Sequence, residues 1–462
     1  MDVSIIGIGE NKGAPRVWLQ GQSLARAGFT PRTRYTVSKE QNGIVLRKQL
    51  AGPRMVSSKL RSEKETPIID INNGELLALF EGLDCVRVIY REDEIYILPQ
   101  ASDQRARERV ARATQLMETG EPLQFGSLAH GIGVMDEALA AGFAKGGIST
   151  ELKFSNEIRA DFSDHVMEVG REYRPSTIGL NGRMQELAFD EYVMKKVGQC
   201  DVLSSGIPCS GASVAGRAKR KLVHPESHPE VGHLVLPIMA MVPRFNPLVI
   251  VLECVVSYLN SSSMEIIRTF LIEMGYSLYE TVVDGADWNA LEHRKRMVVI
   301  GVTKGLPFSL SNLTMPAKLK RTLSEILEHI PEDDARWKTM QGLKDKEVRD
   351  AEAGKSFAMQ VFTATDEKIC TLTKGIQKNR STAAKIQHPT NPDLLRIPTA
   401  REHARAKNIP VELIGSLPEG LAHEGLGQSV IYDIFVSFGQ LLANTFKSLM
   451  FDADEPVFQL AA

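Results

Sequence analysis

The chain has 462 residues, 43% of them hydrophobic and 24% charged, with a formal net charge of −2. That length suffices for two or three packed cores, and a near-neutral total neither marks nor excludes a nucleic-acid binder, because binding needs only a local basic surface. No apolar run reaches the length of a membrane span, and the five scattered cysteines (Cys85, Cys200, Cys209, Cys254 and Cys370) form neither a CxxC pair nor a Cys/His cluster; a reducing cytoplasm is therefore expected, with no membrane, disulfide framework or metal site.

Residues 1–100 read as a β-rich domain. Strands suit 3–8, 16–19, 34–37 and 44–48, a short helix suits 22–27 before Gly28, and Gln41-Asn42-Gly43 suits a tight turn. The order recurs as a strand at 67–71, a short helix at 74–81 before Gly82, and strands at 86–90 and 94–98 joined across Arg91-Glu92-Asp93. We read an internal β-α-β-β duplication in which Gly28-Phe29 and Gly82-Leu83 are equivalent. Two such units resemble the halves of the swapped-hairpin barrels of AbrB-type regulators, and Leu24-Ala25-Arg26-Ala27-Gly28-Phe29-Thr30 resembles their SymE-like branch; a small β domain that only packs against the rest is the alternative. In the duplicated form Trp18, Leu24 and Phe29 are expected to pack beside Ile71, Leu77 and Leu83. Residues 49–64, with Arg54, Lys59, Arg61 and Lys64, suit a linker or a DNA-contacting loop. Residues 101–122 read as a linker helix, entered at Ser102-Asp103 and left at Gly120-Glu121-Pro122; its Arg105, Arg107, Arg109 and Arg112 suit a solvated face.

From 123 to about 301, short apolar strands alternate with helical stretches, which indicates an α/β core with a parallel, doubly wound sheet. Leu128-Ala129-His130-Gly131-Ile132-Gly133 leads into a helix from Met135 that is expected to stop at Gly142. Glycines at such a turn let a ligand approach a helix N-terminus. The next strand ends at Ser155-Asn156-Glu157, where an acid suits a ribose hydroxyl pair or simply neighbours a capping Asn156. A strand from Asp201 breaks at Gly206-Ile207-Pro208, which puts Cys209 on the loop at the strand's carboxyl end, followed by a basic loop with Arg217, Lys219, Arg220 and Lys221. Cations beside a thiol favour the nucleophilic thiolate, although a buried cysteine at a strand end is also an ordinary core residue. Pro247-Leu248-Val249-Ile250-Val251-Leu252 is a buried strand that ends on Glu253, where burial is expected to raise the carboxyl pKa; capping of the next helix is the plainer role. Arg294 and Arg296 precede another strand and share a face, so both forks are expected to reach one anion or carbonyl, unless they are surface arginines.

Taken in order, these stretches resemble the C5-cytosine DNA methyltransferases. The Gly131-Ile132-Gly133 turn is similar to their first S-adenosylmethionine motif and Ser155-Asn156-Glu157-Ile158 to the second. Gly206-Ile207-Pro208-Cys209 resembles the nucleophile motif, Leu252-Glu253-Cys254-Val255 the Glu-Asn-Val motif, and Glu292-His293-Arg294-Lys295-Arg296 the Gln-x-Arg-x-Arg motif. Arg396-Ile397-Pro398-Thr399-Ala400-Arg401-Glu402 resembles Arg-x-Leu-Thr-x-Arg-Glu, and Gly427-Gln428-Ser429-Val430 resembles Gly-Asn-Ser-Val, opening the helix that returns to the cofactor. The resemblance implies a Rossmann-like S-adenosylmethionine-dependent core at 123–301, completed by 396–462. Catalysis would rest on Cys209, Glu253, Arg294 and Arg296, and the methyl donor on Ala129, Gly131, Gly133, Glu157, Asn181, Pro208, Gln428 and Ser429. The sequence departs from the family at His130, which replaces a small residue, at Val134 for Gly, Cys254 for Asn and Glu292 for Gln, and at Ser210-Gly211-Ala212-Ser213 for Gln-x-Phe-Ser. Near Gly179-Leu180-Asn181-Gly182 no Asp is found for the adenine amine, which leaves Asn181 as the acceptor.

Residues 302–395 form a polar, irregular insert in which Lys374, Lys378, Arg380 and Lys385 occur with no acid among them. By position it resembles the family's target-recognition region; without the family it reads as a solvated insertion. The expected partner is double-stranded DNA, touched by Ser213, Arg217, Lys378 and Arg380, with a cognate restriction endonuclease as a further partner. The expected activity is cytosine-5 methylation of a flipped base through a covalent Cys209 adduct. The alternative is a methyltransferase-shaped, sequence-specific DNA-binding regulator with impaired catalysis, and an RNA-methylating relative is a third reading.

Overall fold

The computed structural model describes residues 1–450 apart from 12, 41, 62–63, 171–172, 214–215, 218–219 and 355–357. Gln41 of the expected turn, Lys219 of the basic loop and the last residues of the expected C-terminal part lie outside the described residues. The chain divides into two compact units, Met1–Glu108 and Arg109 onward.

The first unit contains strands β1 (Asp2–Gly7), β2 (Gly9–Asn11) and β3 (Ala14–Gln20), helix α1 (Gln22–Arg26), and strands β4 (Arg34–Glu40) and β5 (Gly43–Lys48). Strands β6 (Arg54–Met55), β7 (Ser57–Arg61) and β8 (Lys64–Ile71), helix α2 (Gly74–Leu77), and strands β9 (Cys85–Arg91) and β10 (Glu94–Pro99) repeat that order. Residues 49–64 are therefore not a linker: β7 and β8 are the counterpart of the β2–β3 hairpin. One sheet has the order β1-β9-β10-β5-β4-β6 and the other β2-β3-β8-β7. Exchanging the two copies reads each order backwards, so the duplication is a pseudo-twofold. Gly28 and Gly82 both adopt positive φ after their helices (86° and 73°). The alternating pattern of β9 and β10 turns Val86, Val88, Tyr90, Ile95 and Ile97 inward, where they pack with Leu24, Phe29, Ile71 and Leu77. In β3 the inward residues are Val17 and Leu19, not Trp18, whose ring instead lies under Arg16 at 4.3 Å. The period-2 phase of that strand is one residue from the expectation, and Leu83 packs only at the edge of this core.

The second unit is built on a seven-stranded sheet. Helix α3 (Ala101–Thr119) leads into β11 (Leu123–Leu128), α4 (Val134–Lys145), β12 (Thr150–Glu157), α5 (Ala160–Val169) and β13 (Ile178–Asn181). Helices α6 (Met184–Leu187) and α7 (Glu191–Val197) precede β14 (Val202–Gly206), followed by α8 (Val235–Phe245), β15 (Val249–Cys254), α9 (Ser262–Glu273), β16 (Tyr276–Asp284) and β17 (Lys295–Thr303). The strand order is β13-β12-β11-β14-β15-β17-β16. The sheet is mixed rather than wholly parallel, because β17 runs antiparallel to both neighbours. Chain direction across the sheet reverses between β11 and β14, which opens a crevice at the carboxyl ends of the strands.

Helix α4 does not stop at Gly142. It continues to Lys145 because Gly142 sits at a helix crossing: a Cβ there would meet Val436 O at 2.1 Å and Gly439 Cα at 2.8 Å. Gly439, on the last helix, has the reciprocal role against Leu139 O. Helix α3 is likewise not simply solvated. Arg109 is buried and donates to Thr303 Oγ1 (2.8 Å) and the carbonyls of Met274 and Gly275, with its guanidinium over the Tyr276 ring at 3.8 Å. Arg112 binds Asp201 and the carbonyls of Cys200 and Asn246. The insert has its own apolar core, including Leu323, Ile326, Ile369, Leu372, Ile376 and Ile386. It also contains α10 (Gln341–Glu352), β18 (Gln360–Phe362), β19 (Ala384–Gln387) and β20 (Leu395–Arg396), where the sequence reading held only irregular structure. Helices α11 (Ala400–Ala406), α12 (Glu419–Gln428) and α13 (Tyr432–Ser448) follow, and α13 packs along α4. No single described helix is long and apolar enough to cross a membrane.

Candidate active site

Three strand ends meet at the crevice. Gly206 of β14 pairs with Glu253 of β15, and Glu253 pairs in turn with Val298 of β17. Ile207 N donates to Glu253 O, so the loop carrying Cys209 leaves the sheet directly beside that carboxylate. Cys209 begins a single 3-10 turn, and its carbonyl accepts from Ala212 N and Ser213 N. Ser257 Oγ donates to Ala212 O from the far side and Cys254 Sγ donates to Ile207 O, tying the nucleophile loop to the segment after β15.

Glu253 is buried and its Oε1 lies 3.0 Å from Arg296 Nε. Burial pushes its carboxyl above the ordinary range, against the pull of Arg296, Arg294 and Lys407. Burial also pushes the Cys209 thiol up, and Glu253 adds to that shift; Arg296, Arg294 and Lys374 oppose it. The thiol was expected to be lowered by the basic loop after Cys209. Instead the cations that favour its thiolate come from the start of β17 and from the insert.

Arg294 and Arg296 do not converge on one group. Arg296 faces Glu253, whereas Arg294 is buried with Nη2 donating to Gly427 O at 3.1 Å and Nη1 3.4 Å from Glu292 Oε1. The alternation expected of a strand does not apply because both residues precede or open β17, where backbone pairing has only begun.

On the other side of the switch point, β11 ends in a tight turn. Ala129, Gly131 and Gly133 all take positive φ (53°, 61° and 78°), which aims the backbone at the crevice before α4 starts. A Cβ at Gly131 would meet nothing within 4 Å, so the space before this turn is open. Gly131 N donates to Glu157 Oε2 and Arg159 N to Glu157 Oε1. Each oxygen keeps a lone pair for a ribose hydroxyl, but the carboxylate also fixes the turn. Asn181 lies exposed at the end of β13, opposite Glu157 in register. His130 Nδ1 is 2.7 Å from Asp136 Oδ2, which also accepts from Ser127 Oγ, so the unusual histidine is absorbed by a buried acid. Gln428 and Ser429 end α12 rather than opening α13; Gln428 is exposed and Ser429 Oγ donates to Gly425 O.

Of the expected DNA contacts, Ser213 Oγ accepts from Gly216 N, Arg217 is half-buried after it, and Lys378 and Arg380 are exposed on the insert. Lys385 differs from these exposed cations of the insert. It is buried, donates to the carbonyls of Arg380 and Ala383, and burial pushes its amine down to about 8. Sequence reasoning missed a loop of the insert that packs against residues 291–293 and Gly427. His293 N donates to Ile369 O, Ile369 N to Leu291 O and Thr371 Oγ1 to His293 O. A Cβ on Gly427 would stand 2.0 Å from Lys374 N, so only glycine admits that loop. Sequence reasoning also missed the role of Lys407, whose Nζ lies 2.7 Å from Glu292 Oε2 with both side chains fully buried.

Comparison with known proteins agrees with this architecture. The chain is 24% identical over 264 residues to the Type II methyltransferase M.SsoII of Shigella sonnei, covering 55% of this chain and 66% of that protein. It is 24% identical over 239 residues to M.NlaX of Neisseria lactamica, covering 50% and 72%. The chain thus spans just under two thirds of M.SsoII. Among solved structures, the Dnmt2 methyltransferase of S. pombe shares the fold, with a TM-score of 0.56 and 19% identity, over 71% of this chain and 99% of that one. A family model described as C-5 cytosine-specific DNA methylase matches residues 126–413, more than half of the sequence, and the chain belongs to that family.

Proposed function

We propose that this protein methylates C5 of a cytosine flipped out of a specific duplex DNA sequence, through a covalent adduct on Cys209. The observation that carries the reading is the joint placement of Cys209, Glu253 and Arg296, with the acid and Arg296 3.0 Å apart. Cytosine C5 is a weak nucleophile, and addition of the Cys209 thiolate at C6 makes it enamine-like. Burial raises the Glu253 carboxyl above its ordinary range, which favours the protonated form, so Glu253 is suited to hydrogen-bond or protonate N3 as charge develops there. Arg296 orients Glu253, and loss of the C5 proton then expels the thiolate. S-adenosylmethionine would supply the electrophilic methyl group. The open positive-φ turn at 129–133 and the strand-end carboxylate of Glu157 fit such a ligand, and Asn181, Pro208, Gln428 and Ser429 would line the rest of its site. Arg217, Lys378 and Arg380 would meet the DNA backbone, with Ser213 beside the nucleophile loop. Bisulfite sequencing of DNA from cells expressing the protein tests the activity: protected cytosines in one sequence context support it, and unmodified cytosine at every site rejects it.

A further inference from the structure

The family motif that begins at residue 292 has a neutral Gln where this chain has Glu292. A lone carboxylate there would sit in the interior beside Arg294, 3.4 Å from its Nη1. Burying an uncompensated charge is costly, and the nearest available relief would be to draw the guanidinium fully onto Glu292. Arg294 would then leave the Gly427 carbonyl, which it holds at 3.1 Å, and Gly427 is where the Lys374 loop seats. The structure supplies a different counter-charge. Lys407, just after α11, places Nζ 2.7 Å from Glu292 Oε2, and both side chains are fully buried. The backbone joins the same two places, since Glu292 N donates to Ala406 O.

We propose that Lys407 is a positioning residue for methyl transfer: by neutralising Glu292 it leaves the Arg294 guanidinium on the Gly427 carbonyl and keeps the segment leading to Arg296 in register with Glu253. The proposal rests on the methyltransferase reading. It also accounts for the departure at Glu292, because a buried charge in place of Gln calls for a buried cation opposite it. Burial first, and then Arg294, push the Lys407 amine down to about 7 against the opposing pull of Glu292.

The test compares the full-length protein with Lys407→Met, Glu292→Gln and the double variant Glu292→Gln/Lys407→Met. Two readouts are used: kcat for methyl transfer per folded molecule, and the rate at which iodoacetamide alkylates Cys209, followed on its own peptide by mass spectrometry. Each single variant is expected to lose roughly tenfold or more in kcat and to slow Cys209 alkylation, since coupled residues in one charge network do not act independently. The double variant, which removes one buried charge of each sign and so leaves the buried net charge unchanged, is expected to return to within about threefold of the parent in both. A purely structural pair would lower thermal stability in the single variants and leave kcat per folded molecule unchanged. Single variants with parental kcat, or a double variant whose loss is the product of the two, overturn the proposal. If a single variant does not fold, the double variant and Lys407→Arg decide: losses beyond tenfold in the double variant reject it. Absence of methyl transfer in the parent would instead reject the methyltransferase reading, while the alkylation rates still report on the pair.

Discussion

Replacing Arg109 by Met tests whether α3 is anchored or merely solvated. The side chain is 1% exposed and donates to Thr303 Oγ1 at 2.8 Å, to Met274 O at 3.1 Å and to Gly275 O at 2.6 Å. Met keeps most of the apolar stem and loses these hydrogen bonds, donated by Nε and Nη2, along with the stack on Tyr276. Hydrogen bonds from a charged donor contribute about 1.5–3 kcal/mol each, partly offset here because the buried charge also disappears. A net loss of about 3–4 kcal/mol follows for Arg109→Met, near the upper end for a single substitution. The lost anchor sits at the far ends of the catalytic strands. Thr303 closes β17 and donates to Leu248 O just before β15, whereas Arg296 and Glu253 lie at their opposite ends. The β15–β17 ladder runs unbroken from Val249↔Val302 to Cys254↔Met297, so register at the site survives the change. Urea unfolding should therefore show a lower midpoint with an unchanged slope, and methyl transfer at low temperature should stay within about twofold of the parent. A stability change below about 0.5 kcal/mol, as for a surface arginine, would refute the anchoring.

Two further predictions concern the thiol and the first unit. Because Cys209 is held above the ordinary thiol range, its alkylation should accelerate as pH rises through neutrality; Lys374→Met removes a cation that favours the thiolate and should shift that limb to higher pH. Lys374 is exposed, so the slowing at a fixed pH should be roughly twofold at low salt and smaller at high salt, and an unshifted limb would remove Lys374 from the site. The fragment Met1–Glu108 should fold as a monomer, since its two copies complete one core between them; a dimer by sedimentation or an unfolded circular-dichroism spectrum would contradict this. Deleting it should weaken DNA binding more at low than at high salt and leave the methylated sequence unchanged, a difference read from titrations at two ionic strengths.

Much of the site was legible because it lies on strand ends. An unbroken apolar run before Glu253, and a Gly-Ile-Pro break before Cys209, place both groups at the carboxyl edge of a sheet with little ambiguity. The duplication was legible because alternation and turn residues are local, although the β7–β8 hairpin hid behind its polar composition. Long-range pairings were not legible. Lys407 and Glu292 are far apart in sequence, and an arginine bound for Thr303 looks in a helix like any solvated arginine. Gly142 misled for a related reason: a glycine that admits another helix has the same local signature as one that ends its own. The upward direction of the Cys209 shift comes from burial and Glu253, against cations at the start of β17 and in the insert, none of which its own neighbours disclose.

The central claim is that Cys209 attacks C6 of a cytosine held against Glu253. Incubation with duplex DNA carrying 5-fluorocytosine in the target sequence, plus S-adenosylmethionine, tests it most directly, because fluorine at C5 cannot leave as a proton does and the adduct persists. The account predicts a denaturation-resistant protein–DNA complex that maps to the Cys209 peptide and is absent from Cys209→Ser. Specific binding with no covalent complex, or an adduct mapping to another residue, would contradict it.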